Sequence, residues 1–180
     1  MKRCFLVLGP ESSGTRWLTS ILCDAGCAGS AEHQQPWDSE PLRGNLVVWR
    51  RSLPHDAEWP NLTAMFDGLR DNHYDVFGLV MVRDWFAMES SQRRFRDDDV
   101  TENIQRAYRN IFMFLQDLQN VPFIVVSYEA LLSRPDAYAT RLLERLELSQ
   151  PVTVAAIDGN EKYYGEILCH NYGLARLLSR

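Results

Sequence analysis

Residues 4–8 form an unbroken apolar run that stops at Gly9-Pro10, the pattern of a strand buried on both faces and followed by a turn. Beyond Gly14 the period changes. Trp17, Leu18, Ile21 and Leu22 recur at helical spacing, and Gly26 offers a stop. The chain therefore opens strand, glycine-containing loop, helix. Residues 26–44 are polar and aperiodic, and long loops of that kind inside a domain usually carry function.

A second strand is predicted at residues 45–49, followed by Arg50-Arg51-Ser52 and a turn at Leu53-Pro54-His55. Residues 59–69 read as a helix, with Leu62, Met65, Phe66 and Leu69 on one face. The third apolar strand is residues 76–82, and Arg83-Asp84 stands at its end. Helices are expected at residues 85–96, with Arg93, Arg94 and Arg96 on a solvated face balanced by the acidic residues 97–99, and at 101–118, and a fourth strand at 123–126 runs into Ser127-Tyr128-Glu129. An amphipathic helix at 135–148 is followed by a short helix or strand, the polar turn Asp158-Gly159-Asn160, and Lys162-Tyr163-Tyr164. Apolar strands alternating with helices predict one α/β domain over residues 1–180, a three-layer P-loop-like fold with a mostly parallel central sheet of about four strands. Ligands of such sheets sit beyond the carboxyl ends of the strands, so the polar residues placed there are the ones to read.

Composition narrows the partners. The 180 residues carry 19 Lys plus Arg against 24 Asp plus Glu, a formal charge of −5, and broad nucleic-acid binding needs a basic footprint instead. No nucleic-acid partner is expected, although a local anion pocket is compatible with that charge. The apolar start is too short for a secretory core or a membrane span, and a cytoplasmic location is expected. Cys4, Cys23, Cys27 and Cys169 show no paired ligand spacing and read as free thiols.

Gly9-Pro10-Glu11-Ser12-Ser13-Gly14-Thr15-Arg16 has the glycine spacing of a phosphate loop between a strand and a helix. A nucleoside-triphosphatase loop also needs Lys after the second Gly, for the β/γ-phosphates, and then Ser or Thr for Mg²⁺. Thr15 and Arg16 occupy those positions. A hydroxyl and a guanidinium suit a phosphate held without metal, and none is expected. The plain alternative is a capped helix start with Ser12 or Ser13 as N-cap.

On Ser12-Ser13-Gly14-Thr15-Arg16-Trp17-Leu18 the sequence resembles the sulfotransferases that use 3′-phosphoadenosine 5′-phosphosulfate (PAPS), whose first motif is a strand and then Lys/Arg-Ser-Gly-Thr opening a helix. The resemblance makes residues 12–17, Ser12, Ser13, Gly14, Thr15, Arg16 and Trp17, the cradle of the donor's 5′-phosphosulfate. Val80-Met81-Val82-Arg83, with Ser91 eight residues on, is similar to the family's pair that grips the 3′-phosphate. Arg supplies a planar fork for that purpose and Ser a neutral donor. Val126-Ser127-Tyr128-Glu129-Ala130-Leu131-Leu132 resembles the segment whose Tyr lies near the adenine, a role this implies for Tyr128. The similarity spans residues 4–148.

One departure is chemical: Ser12 stands where the family has a basic residue, the group that neutralises the bridging oxygen during transfer. Arg16, Arg50, Arg51 and Lys162 are the candidate replacements. Arg16, directly after Thr15, is best placed, and Lys162 is counted with the donor-binding residues. His33, in the long loop, is the expected general base for the acceptor, with His55 as its competitor. Trp37, Trp49, Trp59 and Trp85 are available to stack on a sugar or aromatic ring, but such residues are more often packing. The leading expectation is sulfuryl transfer from PAPS, leaving 3′-phosphoadenosine 5′-phosphate (PAP), to a hydroxyl or amine of a small-molecule or glycan acceptor. The alternatives are a P-loop kinase or triphosphatase with Asp84 on Mg²⁺, and a nucleotide-binding relative without catalysis.

Overall fold

The computed structural model describes residues 2–32, 44–55, 58–117, 121–156 and 158–171. Its strands are β1 (Lys2–Pro10), β2 (Leu46–Leu53), β3 (Tyr74–Val82) and β4 (Phe123–Ser127). They form one parallel sheet in the order β2-β1-β3-β4. The helices are α1 (Thr15–Asp24), α2 (Leu62–Asp71), α3 (Trp85–Gln92), α4 (Val100–Asp117), α5 (Tyr128–Ser133), α6 (Pro135–Arg145) and α7 (Tyr164–Asn171), with a 3₁₀ turn at Glu161–Tyr163.

The strand period of two sorts the core into two layers. Phe5 and Val7 of β1 and Leu79 and Met81 of β3 pack on one face with Leu18 and Leu22 of α1 and Leu142 and Leu143 of α6. Cys4, Leu6 and Leu8, with Val80 of β3, pack on the other against Met65 and Phe66 of α2 and Ile111 and Phe114 of α4. Helices therefore cover both faces of a parallel sheet, the three-layer P-loop-like α/β fold expected from the sequence. No helix among the described residues is long and apolar enough to cross a membrane.

Three boundaries near the site differ from the sequence pattern. β2 runs to Leu53, so Arg50-Arg51-Ser52 lies inside the strand rather than after it, with Gly9 opposite Ser52 in the register. α2 begins at Leu62, not Trp59, because the Asn61 side chain accepts from the Ala64 amide at 3.0 Å and sets the start. α3 ends at Gln92 rather than at residue 96, where the Gln92 side chain turns to the Glu11 carbonyl. Asn61→Ala should cost about 1 kcal/mol, read as a lower urea midpoint at unchanged m-value.

The order of the sheet fixes where a ligand sits. From the central strand β1 the chain crosses through α1 to β2 on one side, while β3 flanks β1 on the other. The carboxyl ends of β1 and β3 thus form a topological switch point.

Candidate functional site

β1 delivers the chain into the phosphate loop at that switch point. The Ser13 amide donates to the Pro10 carbonyl at 3.1 Å, and both Ser12 (φ 65°) and Gly14 (φ 97°) are left-handed. The N-cap of α1 is Gly14, with no side-chain hydrogen bond, so neither serine caps the helix. The first-turn amides therefore have no side-chain acceptor, which is what an anion site at a helix start requires. Ser13 is fully buried and its hydroxyl has no hydrogen-bond partner. The Thr15 hydroxyl, at the position where a triphosphatase has its lysine, lies 3.0 Å from Ser52 Oγ in a buried contact that ties α1 to β2. Thr15→Val should lose about 1 kcal/mol, measured by equilibrium denaturation.

A cavity of about 860 Å³ opens over the loop, and Arg16, Arg50 and Arg83 all contribute to its wall. Arg50 is there because of strand alternation: with Val48 and Ser52 it belongs to the α1 face of β2, whereas Trp49, Arg51 and Leu53 belong to the other. The Arg51 guanidinium lies over the Trp49 ring at 5.8 Å and is not in the wall. Arg16 is the outer cation, its side chain 63% exposed and 3.8 Å from the Glu32 carboxylate. Arg50 is the inner one, 8% exposed, with no hydrogen-bond partner for its Nε. Burial first and the neighbouring Arg16 second lower its pKa, with Glu32 pulling the other way. A buried cation so placed is favoured by an incoming anion.

Arg83 follows β3 and reaches back under the loop. Its Nη1 donates to the Ser12 carbonyl at 2.7 Å and its Nε to Asn160 Oδ1 at 2.7 Å. Its guanidinium lies over the Tyr128 ring at 4.5 Å, and Trp17 meets Tyr128 edge-on at 5.2 Å. Trp17 and Tyr128 both line the cavity. Ser91, the expected partner of Arg83, instead lies against the Tyr163 phenol. Lys162 is exposed, its ammonium 5.0 Å from the Tyr163 ring. Neither Ser91 nor Lys162 is in the wall.

His55 is in the wall. His33 and Trp37 lie outside the described residues, as does the segment that begins just after Glu32, itself a wall residue. Asp84 caps α3, accepting from the Ala87 amide at 3.0 Å, and is not in the wall. Arg96, which the sequence pattern assigns to a solvated face with Arg93 and Arg94, is half-buried. It pairs with Glu11 at 2.8 Å, and Gln92 donates to the Glu11 carbonyl at 2.7 Å, so the end of α3 is fastened to the phosphate loop. Arg93 and Arg94 are exposed as expected. Cys4, Cys23 and Cys27 are free thiols, and burial, helped by Cys23, pushes the Cys27 thiol up to about 12, which leaves it unreactive near neutral pH.

No family model matches the sequence, and no curated protein matches it either. Among solved structures the fold is similar to that of an unliganded sugar kinase from Janibacter sp. HTCC2649, with a TM-score of 0.50 and 14% identity over 83% of this chain and 97% of that one. At that identity the likeness is one of fold.

Proposed function

We propose that the chain transfers a sulfuryl group from PAPS to a hydroxyl or amine of a small-molecule or glycan acceptor, without a metal ion. The observation that carries this reading is Arg50, a buried guanidinium beside an uncapped helix start, in a loop whose usual lysine is a threonine bonded to Ser52. That arrangement offers a fixed cation and backbone amides to an anion, and it provides neither the lysine nor the hydroxyl that handle a metal-bound triphosphate. The Asp84 carboxylate, the strand-end candidate for Mg²⁺, is engaged in capping α3.

The roles follow from position. The amides of Ser12, Gly14 and Thr15 cradle the phosphosulfate, Arg83 meets the 3′-phosphate, and Trp17 and Tyr128 flank the adenine. The acceptor oxygen forms a bond to sulfur as the bond from sulfur to the bridging phosphate oxygen breaks. The acceptor proton passes to a histidine, and the charge left on PAP is met by Arg50, with Arg16 outside it. Arg50 thus takes the duty of the basic residue absent at Ser12, the inner cation being better shielded from water than Arg16. Removing the base should lower turnover by about 10² to 10⁴ while leaving donor affinity within a few fold. The larger loss is expected for His33→Ala, and a larger loss for His55→Ala would move the role to the histidine in the described wall.

A second reading, phosphoryl transfer from ATP, is favoured by the fold it shares with a sugar kinase and by Glu11 and Glu32 in the wall. The two separate on label transfer: ³⁵S from PAPS in EDTA, against γ-³²P from ATP with Mg²⁺, each offered a mixture of sugars and phenols. Transfer of ³⁵S without metal supports the proposal. Transfer of ³²P alone supports the kinase, and PAP binding with no transfer of either label identifies a nucleotide-binding protein without catalysis.

A further inference from the structure

Arg83 is fastened from a part of the chain that the phosphate loop does not predict. Asn160 is 3% exposed, and its amide bridges a cation and a carboxylate: Oδ1 accepts from Arg83 Nε at 2.7 Å and Nδ2 donates to Glu129 Oε1 at 3.1 Å. The same Glu129 oxygen accepts from the Asp84 amide at 2.8 Å. Arg83 has only donors to offer and an ionised Glu129 only acceptors, so an amide in this one orientation satisfies both. The turn carrying Asn160 is itself pinned. The Gly159 amide donates to the Tyr128 hydroxyl at 2.8 Å, the Asn160 amide to Asp158 Oδ1 at 2.8 Å, and the Tyr163 amide to the Asn160 carbonyl at 2.8 Å. Gly159 leaves no room for a side chain: a Cβ there would stand 2.9 Å from the Tyr128 hydroxyl and 3.2 Å from Arg83 Nη2.

We infer that Asn160 is a positioning residue for the donor site, setting the Arg83 guanidinium and, through it, the phosphate loop. With its Nε held by Asn160 and one face on Tyr128, Arg83 has a single orientation in which Nη1 reaches the Ser12 carbonyl. That bond keeps the negative end of the Ser12 peptide engaged and away from an incoming anion. The turn at residues 158–160 is thereby part of the anion site although it lies far along the chain from the loop. The assignment of PAP as the ligand rests on the function proposed above; the positioning of Arg83 does not.

The test is a polarity swap. In Asn160→Asp the new carboxylate faces Glu129, and the bridge breaks by repulsion between two acceptors. In the double variant Asn160→Asp, Glu129→Gln the bridge re-forms with its polarity reversed. The new carboxylate at position 160 accepts both from Arg83 Nε and from the new amide at position 129. That amide turns about its last bond so that its oxygen still accepts from the Asp84 backbone N–H. The readouts are the ¹⁵Nε–¹Hε resonance of Arg83 in the ligand-free protein, assigned with Arg83→Lys, and calorimetric affinity for PAP. Asn160→Asp is expected to lose the exchange-protected resonance and to bind PAP about tenfold or more weakly, and the double variant to regain both to within about threefold of wild type. A scaffolding role alone would not restore affinity together with the resonance. Unchanged PAP affinity in Asn160→Asp, or a double variant that recovers the resonance without the affinity, overturns the inference. If the wild type binds no PAP, the proposed function fails instead, and inorganic sulfate replaces PAP as the probe. The same tenfold loss and recovery are then expected, and an unchanged sulfate affinity overturns the positioning role.

Discussion

Arg50→Met should raise the unfolding midpoint of the ligand-free protein while weakening PAP about 10- to 150-fold, the loss expected for one charge-assisted hydrogen bond. The two effects have one cause. Arg50 is 8% exposed with Nε unpartnered, and burial and then Arg16 lower its pKa relative to the unfolded chain. For a base, a folded pKa below the unfolded one costs stability that is fully present below the folded pKa, where the group is charged in both states, and is lost only as pH rises from there through the unfolded pKa. Near neutral pH the cost is therefore fully present, and a well-packed apolar side chain of similar length removes it. Bound anion removes it too, so PAP should stabilise wild type more than the variant. Sulfuryl transfer should fall by about 10² to 10³, as for loss of one group aimed at developing charge. Differential scanning calorimetry with and without PAP reads both signs. A variant that is less stable without ligand and equally stabilised by PAP would show that Arg50 supports the fold rather than the donor.

Gly14→Ala should be strongly destabilising. Gly14 has φ 97°, and a Cβ there would lie 2.6 Å from Tyr128 Cδ2 and 3.1 Å from Met81 Cε. Met81 has a flexible end and can move. Tyr128 cannot do so cheaply, because its hydroxyl accepts from Gly159, its face carries Arg83 and its ring packs T-shaped with Trp17. The left-handed backbone costs about 1 to 2 kcal/mol in an L-residue and overpacking about 1 to 3 kcal/mol. Together they come to about 3 kcal/mol, roughly 6 to 12 °C in a domain of this size. Because the displaced ring carries Arg83, nucleotide binding should fall with stability. Thermal unfolding of the variant checks this, and an unchanged midpoint would mean that the loop has another low-energy conformation.

The opening of the fold is legible in the sequence because its signals are local. An apolar run, a glycine-spaced loop and a helical period lie within residues 4–22, and the structure has β1, the loop and α1 there. The far half of β2 is hidden for a physical reason: its last residues serve the site. Arg50 and Ser52 face the phosphate loop, so the strand ends in polar residues that imitate a turn. Asn61 before Leu62 is a readable cap signal for α2, masked by the apolar Trp59 that extends the helical pattern backwards. Arg96 looks solvated because its partner Glu11 is 85 residues away. Asn160 carries no local signal, since Glu129 and Arg83 are 31 and 77 residues distant, and a buried bridging amide and a surface turn share the same Asp-Gly-Asn sequence. Arg50 is visible as one of four possible cations. Separating it from Arg51 requires the strand's register, which assigns alternate residues to opposite faces.

The proposed function requires the phosphate loop to hold a 3′-phosphorylated nucleotide through fixed cations and amides rather than through a metal. The decisive measurement is calorimetric titration of the wild-type protein with PAP and with ATP, each in EDTA and in Mg²⁺. PAP should bind with the same affinity in both buffers and more tightly than ATP in either. ATP binding that requires Mg²⁺, with no binding of PAP, would contradict it.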